Sequence, residues 1–193
     1  ILTWLISFVL SMNVGHAEML FVGANAEYET INEALAMAGD GDTVSIGSGR
    51  YEETIETQRP GVTIQAAGDG SVLVTSAGYL LRIRHERITV DGLILDGQYS
   101  DRDGVQVRGD AHDLTLKNME IRHVGSDCID LGSQRNVTIE NSVIHHCLRS
   151  TEPDCSSPDC RADAHGIAGA AMRNLTIRNT EIHTFSGDAI QLD

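Results

Sequence analysis

Four stretches of this chain can be laid over one another: Ile88-Thr-Val-Asp-Gly-Leu-Ile-Leu95, Leu114-Thr-Leu-Lys-Asn-Met-Glu-Ile121, Val137-Thr-Ile-Glu-Asn-Ser-Val-Ile144 and Leu175-Thr-Ile-Arg-Asn-Thr-Glu-Ile182. Each is followed by a short apolar strand that closes the repeat: Val105-Gln-Val107, Ile129-Asp-Leu131, Ile167-Ala-Gly169 and Ile190-Gln-Leu192. The first three starts fall 26 and 23 residues apart, and an insertion stretches the third interval to 38. Periods of this size, with strands rather than helices inside them, indicate a solenoid.

Each repeat reads as strand, turn, strand, turn, strand, turn. In Val137-Thr138-Ile139 the flanking residues are apolar and β-branched and the middle one is polar, the period-two signature of a strand with one buried face. The following turn carries Gly92, Asn118, Asn141 and Asn179 at equivalent places. Gly and Asn tolerate positive φ, and stacked Asn residues can form a hydrogen-bonded ladder at a corner. The columns Ile88/Leu114/Val137/Leu175 and Leu95/Ile121/Ile144/Ile182 are aliphatic throughout and are expected to point inward. Each such side chain contributes roughly 1.5–3 kcal/mol on burial, before entropy costs.

Upstream, Thr30-Ile-Asn-Glu33 is a capping box. Ile31, Ala34, Leu35 and Ala38 form an apolar stripe at helical spacing, and Gly39 is expected to stop a helix of about residues 30–38. A helix here would cover the end of the solenoid, which otherwise exposes strand edges. Gly39 to Ile46 is expected to begin the first coil, with Gly49-Arg-Tyr-Glu-Glu53 as its turn.

The run Tyr28 to Ile46, followed by Gly49-Arg-Tyr51, resembles the N-terminal cap and first coil of the pectin lyase-like superfamily. The resemblance extends over essentially the whole chain after residue 17. It implies an all-β fold, a right-handed parallel β-helix solenoid with a short N-terminal capping helix. It leaves function open, because that superfamily holds lyases, hydrolases, esterases, epimerases and non-catalytic spines.

Residues 1–17 are apolar and uncharged and end in Gly15-His-Ala17, as a secretory signal peptide does. The apolar core is too short to span a bilayer. Residues 18–193 then form one β-helix domain, expected to be secreted, periplasmic or at the cell surface, monomeric, and not inserted in a membrane. The chain starts without Met and stops at Asp193 inside a repeat, so the domain is expected to be incomplete at its C-terminus. Four cysteines suit an oxidising compartment. Cys155 and Cys160 lie in the insertion Leu148 to Ala164 and are expected to pair locally. Cys147, in line with Val124 and Phe185, either pairs with Cys128 or is a buried thiol. No CxxC pair marks a zinc site. The net charge of −14 disfavours nucleic acid and anionic membranes. It also disfavours acidic polysaccharides, unless cations bridge or a local basic patch exists. Lys117 is the only lysine, so such a patch must rely on arginine.

Aligning the closing strands gives a column Asp103, Asp127, His165, Asp188 at the turn before the strand, and an outward column Gln106, Asp130, Ala168, Gln191 within it. Carboxylates on successive coils can share Ca²⁺, and those on alternate coils approach the separation used by inverting hydrolases. Equally, an Asp at such a corner can simply bond its own turn. His165 beside carboxylates can act as acid or base, or can be an ordinary surface histidine. A second row, Asp96, Arg122, His145 and His183, with His123 and His146 one residue later, is either a transition-metal chelate or a solvated face. The sequons at Asn136 and Asn174 recur with the repeat and read as turn chemistry rather than glycosylation sites.

The resemblance implies Arg108 or Arg161 as the base of a uronate lyase, with Asp127 and Asp130 near a calcium ion. The candidate catalytic set is His165, Asp130, Asp127, Asp188 and Arg108. Two functions follow. One is a secreted enzyme acting on a uronate-containing glycan by elimination, epimerisation or hydrolysis. The other is a non-catalytic β-helix that binds glycan or serves as a surface spine, its Asp column being corner chemistry alone.

Overall fold

The computed structural model describes residues 16–68, 72–148 and 163–193. Most of the expected leader lies outside these residues, as do Cys155, Cys160 and Arg161. Among the described residues the chain winds through three parallel sheets in turn. The first has seven strands: Met19–Val22, Thr43–Ile46, Thr63–Ala66, Thr89–Asp91, Leu114–Lys117, Arg135–Glu140 and Arg173–Arg178. The second has six: Gly49–Glu52, Val72–Thr75, Leu93–Asp96, Glu120–Val124, Val143–Cys147 and Glu181–Phe185. The third also has six: Ile55–Glu56, Leu81–Ile83, Val105–Val107, Ile129–Asp130, Ile167–Gly169 and Ile190–Leu192. Every strand inside a sheet pairs with the equivalent strand of the coil before and after it, and each terminal strand with one, so residues of equivalent position stack. Leu114 faces Val137, and Val137 faces Leu175, across the long insertion. The inward columns fill the bore: Ile88, Leu95, Val137 and Ile144 are fully buried, and Leu175 and Ile182 pack against them.

The corners explain why the coil can turn so sharply. Gly92, Asn118, Asn141 and Asn179 all have positive φ, as their residue types imply. The Asn179 amide donates to Asn141 Oδ1 at 3.3 Å, and Asn118 donates to Asp91 Oδ1 at 2.6 Å. A second ladder stands where the chain returns to the first sheet. Asp113, Asn136 and Asn174 are left-handed there, with Asn174 donating to Asn136 (2.9 Å) and Asn136 to Asp113 (2.7 Å). The sequon asparagines are thus committed to a corner ladder. On the outward side of the first sheet, Thr43, Thr63, Thr89, Thr115, Thr138 and Thr176 stack in one column.

The cap helix spans Ile31–Met37, and its capping box is present in both directions. Glu53 completes it by accepting from the backbone N–H groups of Ile31 (2.9 Å) and Asn32 (3.1 Å), two donors the helix leaves open. Ile31, Ala34 and Leu35 are its buried face.

Three expectations change. The helix ends because Ala38 turns to extended backbone; Gly39 is not left-handed, and its N–H is taken by Asp42 Oδ2 at 2.6 Å. Gly49–Glu52 is a strand of the second sheet, not a turn, because it pairs in register with Val72–Thr75. The sheets also begin earlier than expected, at Met19–Val22, whose Leu20 and Val22 alternate inward and pair with Thr43–Ile46.

Replacing Asn141 with Ala should lower stability by about 2 kcal/mol, combining the left-handed backbone cost with a lost ladder bond. Asn141→Gly should recover the backbone share. Denaturant midpoints at constant slope measure both; equal losses in the two variants would contradict this origin.

Candidate functional site

The outer side of the third sheet gathers the charged residues singled out in the closing strands. Register places Glu56, Arg82, Gln106, Asp130, Ala168 and Gln191 in one outward column. Asp103, Asp127, His165 and Asp188 occupy the corner before it. Asp130 forms an ion pair with Arg108, and its Oδ1 accepts from Gly132 N at 3.0 Å. That pairing holds the Arg108 guanidinium more firmly charged than usual.

The corner column is stitched from coil to coil. Asp103 accepts from Ser126 Oγ at 2.9 Å, and Asp127 Oδ1 accepts from His165 N at 2.8 Å. His165 is buried, and its Nδ1 accepts from Asp188 N at 2.8 Å. The imidazole therefore carries its proton on Nε2. Gly187 must lack a side chain here, since a Cβ would lie 2.6 Å from His165 Nδ1. Gly166 is equally constrained, because a Cβ would approach Ala189 O to 2.6 Å. Burial raises the carboxyl of Asp103 above its ordinary range, and the nearby Asp130 charge adds to that. Asp127 is also raised, first by burial and then, against its bond to His165, by Asp103 and Asp130. Asp188 is exposed.

The face also holds residues the repeat alignment passed over. Leu81-Arg-Ile-Arg84 has the same pattern as Val105-Gln-Val-Arg108, and it extends the arginines one coil toward the N-terminus. Arg84 and Arg82 bind Glu56 at 3.0 and 3.4 Å, and Arg82 lies 5.3 Å from the Tyr79 ring centroid. The arginines of this face are thus all paired, Arg82 and Arg84 with Glu56 and Arg108 with Asp130. Clefts of about 320 and 340 Å³ lie elsewhere, one lined by His112, Gln134 and Arg173, the other by Arg50 and Thr75.

The second charged row lies on the outer side of the second sheet. Asp96, Arg122, His145 and His183 stack in register as expected. Behind these two faces, Cys128 and Cys147 form a fully buried disulfide joining a third-sheet corner to the second sheet. The pairing settles the open choice for Cys147.

A family profile described as a right handed beta helix region matches residues 103–193. Among solved structures, the crystal structure of pectate lyase Pel9A superposes with a TM-score of 0.67 at 14% identity, over 87% of this chain and 48% of that one. This chain therefore spans about half the length of the solved structure it matches. No curated protein matches it. The chain is a right-handed parallel β-helix of the pectin lyase-like fold. Among the described residues no helix is long and apolar enough to cross a membrane.

Reducing the Cys128–Cys147 bridge, whose partners are 19 residues apart, should cost about 3 kcal/mol through the freed loop. Thermal unfolding with and without reductant reads this; an unchanged midpoint with both thiols free would contradict it.

Proposed function

We propose that this β-helix belongs to a secreted or cell-surface enzyme that processes a uronate-containing polysaccharide along the outer side of its third sheet. The observation that carries the reading is the combination of arginines and half-buried carboxylates on one open strip of an otherwise acidic protein. Arg82, Arg84 and Arg108 offer planar donors suited to carboxylate groups of a polymer. Arg108 serves as the clamp or base nearest the acidic corner. As a base it must first part from Asp130, because the ion pair stabilises its charged form. His165 can act only through Nε2, and there as a hydrogen-bond donor to substrate, since Nδ1 is held by Asp188 N and the ring stays neutral. Asp188, exposed one coil further on, completes the candidate catalytic set with Asp127 and Asp130.

Calcium fits the donor chemistry: Asp103, Asp127 and Asp130 offer only anionic oxygens, and two of them are raised by burial and mutual charge, which a cation would relieve. Their fit is that of an open site. Among the described residues, the one group of three whose ligand atoms lie within 4.8 Å of one another is Glu86, His112 and Asp113, at a different corner. To hold the ion with Asp103, Asp130 would have to part from Arg108 and Asp127 from His165 N, bringing together carboxylates that stand apart in the free protein. The ion would supply neutralisation of a substrate carboxylate.

One observation favours a second reading, a non-catalytic glycan-binding β-helix. Asp127 and His165 each cap the backbone of the following coil, as structural corner residues do.

Incubation of the full-length protein with pectate and alginate, with and without Ca²⁺, separates the two. The enzyme reading expects unsaturated ends, new reducing ends or altered uronate composition, lost in Arg108→Gln and Asp127→Asn. Binding without any of these products supports the second reading.

The raised carboxyls also set a pH dependence. A folded pKa above the unfolded value means stability is fully present below the unfolded Asp range, about 3.9, and falls as pH rises through the folded value. Asp103→Asn should therefore be more stable than wild type at neutral pH, with the gap closing on acidification. Ca²⁺ should raise the wild-type melting temperature more than that of Asp103→Asn. Equal calcium shifts in both would remove Asp103 from the ion site.

A further inference from the structure

The histidines of the second sheet are arranged more specifically than a solvated face requires. At this corner the left-handed positions are His123, His146 and Thr184, where the corner after the first sheet uses Gly92, Asn118, Asn141 and Asn179. The left-handed residue adds one position to the strand between Arg122 and Val124, and between His145 and Cys147. Val124 and Cys147 still pair and point inward, while two consecutive side chains turn outward. His145 and His146 thus project from the same side of one strand, and their Nδ1 atoms converge to 2.6 Å. The His183 ring of the next coil stacks on His145 at 5.0 Å between centroids, nearly parallel. The His123 ring lies 5.4 Å from that of His146.

The other nitrogen of His145 decides what this convergence means. His145 Nε2 faces Glu120 Oε1 at 3.3 Å, and Glu120 is itself held by Arg122 Nη1 at 2.6 Å. A carboxylate at Nε2 fixes the N–H there and leaves a lone pair on Nδ1. This is the arrangement of a metal-bound histidine, one nitrogen toward the ion and the other donating to a carboxylate. Two facing Nδ1 atoms are joined either by a hydrogen bond, with His146 protonated on Nδ1, or by a cation between them. Zinc–nitrogen bonds of about 2.0–2.1 Å at a tetrahedral angle place two ligand nitrogens roughly 3.3 Å apart, so rotation of the two rings must widen the pair to admit the ion.

We propose that His145 and His146 form a binding site for a borderline first-row divalent cation (Zn²⁺, Cu²⁺ or Ni²⁺) through their Nδ1 atoms, with Glu120 as the outer partner of His145. Nitrogen donors select these ions over Ca²⁺ or Mg²⁺. Solvent or His183 fills the remaining positions. The site is on a different face from the carboxylate strip and does not depend on the function proposed for that strip.

Titration calorimetry of the full chain with Zn²⁺, and electron paramagnetic resonance with Cu²⁺, test it. Wild type should bind an ion with nitrogen hyperfine structure from at least two imidazoles. His145→Gln and His146→Asn should each weaken Zn²⁺ binding at least about tenfold, and Glu120→Gln by about tenfold. Asn is chosen at 146 because it keeps the left-handed backbone. His112→Gln, which disrupts the other candidate group, should leave affinity unchanged. Should a variant fail to melt cooperatively, the wild-type nitrogen count still decides. No Zn²⁺ binding by wild type, fewer than two imidazole nitrogens on Cu²⁺, or loss of affinity only in His112→Gln would overturn the proposal.

Discussion

Hydrogen bonding between one coil and the next, at a spacing of about 4.8 Å, governs everything else in this molecule. Each strand finds its partners only in the neighbouring coils, so the chain must return to the same place after each circuit. That is possible only if every corner turns sharply, and left-handed residues at three corners do it: Asn141, Asn136 and His146 in a single coil. An L-residue other than Asn or Gly pays for this conformation in steric strain, which is why the ladder positions converge on Asn. The aliphatic bore and the corner ladders are two consequences of one repeat distance.

The same stacking determines what the surface can do. A side chain on one coil always meets its equivalent on the next, so chemistry accumulates in columns rather than in pockets. On the third sheet this brings arginines beside carboxylates that burial has made reluctant to ionise. On the second sheet it brings histidines together. The corner stitching uses side chains of the same kind, as Asp127 and His165 illustrate, since each bonds the backbone of the next coil.

Much of the architecture could be read from residue types alone. Val137, Ile139 and Ile144 alternate with polar neighbours, and Asn118, Asn141 and Asn179 mark a turn by the only chemistry that suits it. Reading across the insertion also worked, because Leu175 and His183 resume the columns of Val137 and His145. Other parts were hidden for physical reasons. Gly49-Arg-Tyr-Glu52 carries no alternating apolar signal, and only its pairing with Val72–Thr75 makes it a strand. Whether Cys147 meets Cys128 depends on the cross-section of the coil, which periodicity does not contain. Arg82 and Arg84 precede the first well-marked repeat, so their place beside Arg108 emerges only from register. The tautomer of His165 rests on a backbone N–H from the following coil, which no spacing rule reveals.

The stacked threonines allow the winding itself to be measured. Nitroxide labels at Thr43 and Thr176 are five coil spacings apart, roughly 24 Å along the axis, and labels at Thr63 and Thr176 are four apart, roughly 19 Å. Double electron–electron resonance should return two narrow distributions whose means differ by about one coil spacing, ~4.8 Å. Broad distributions, or two means that do not differ by that step, would contradict a chain wound in register from its cap to its last coil.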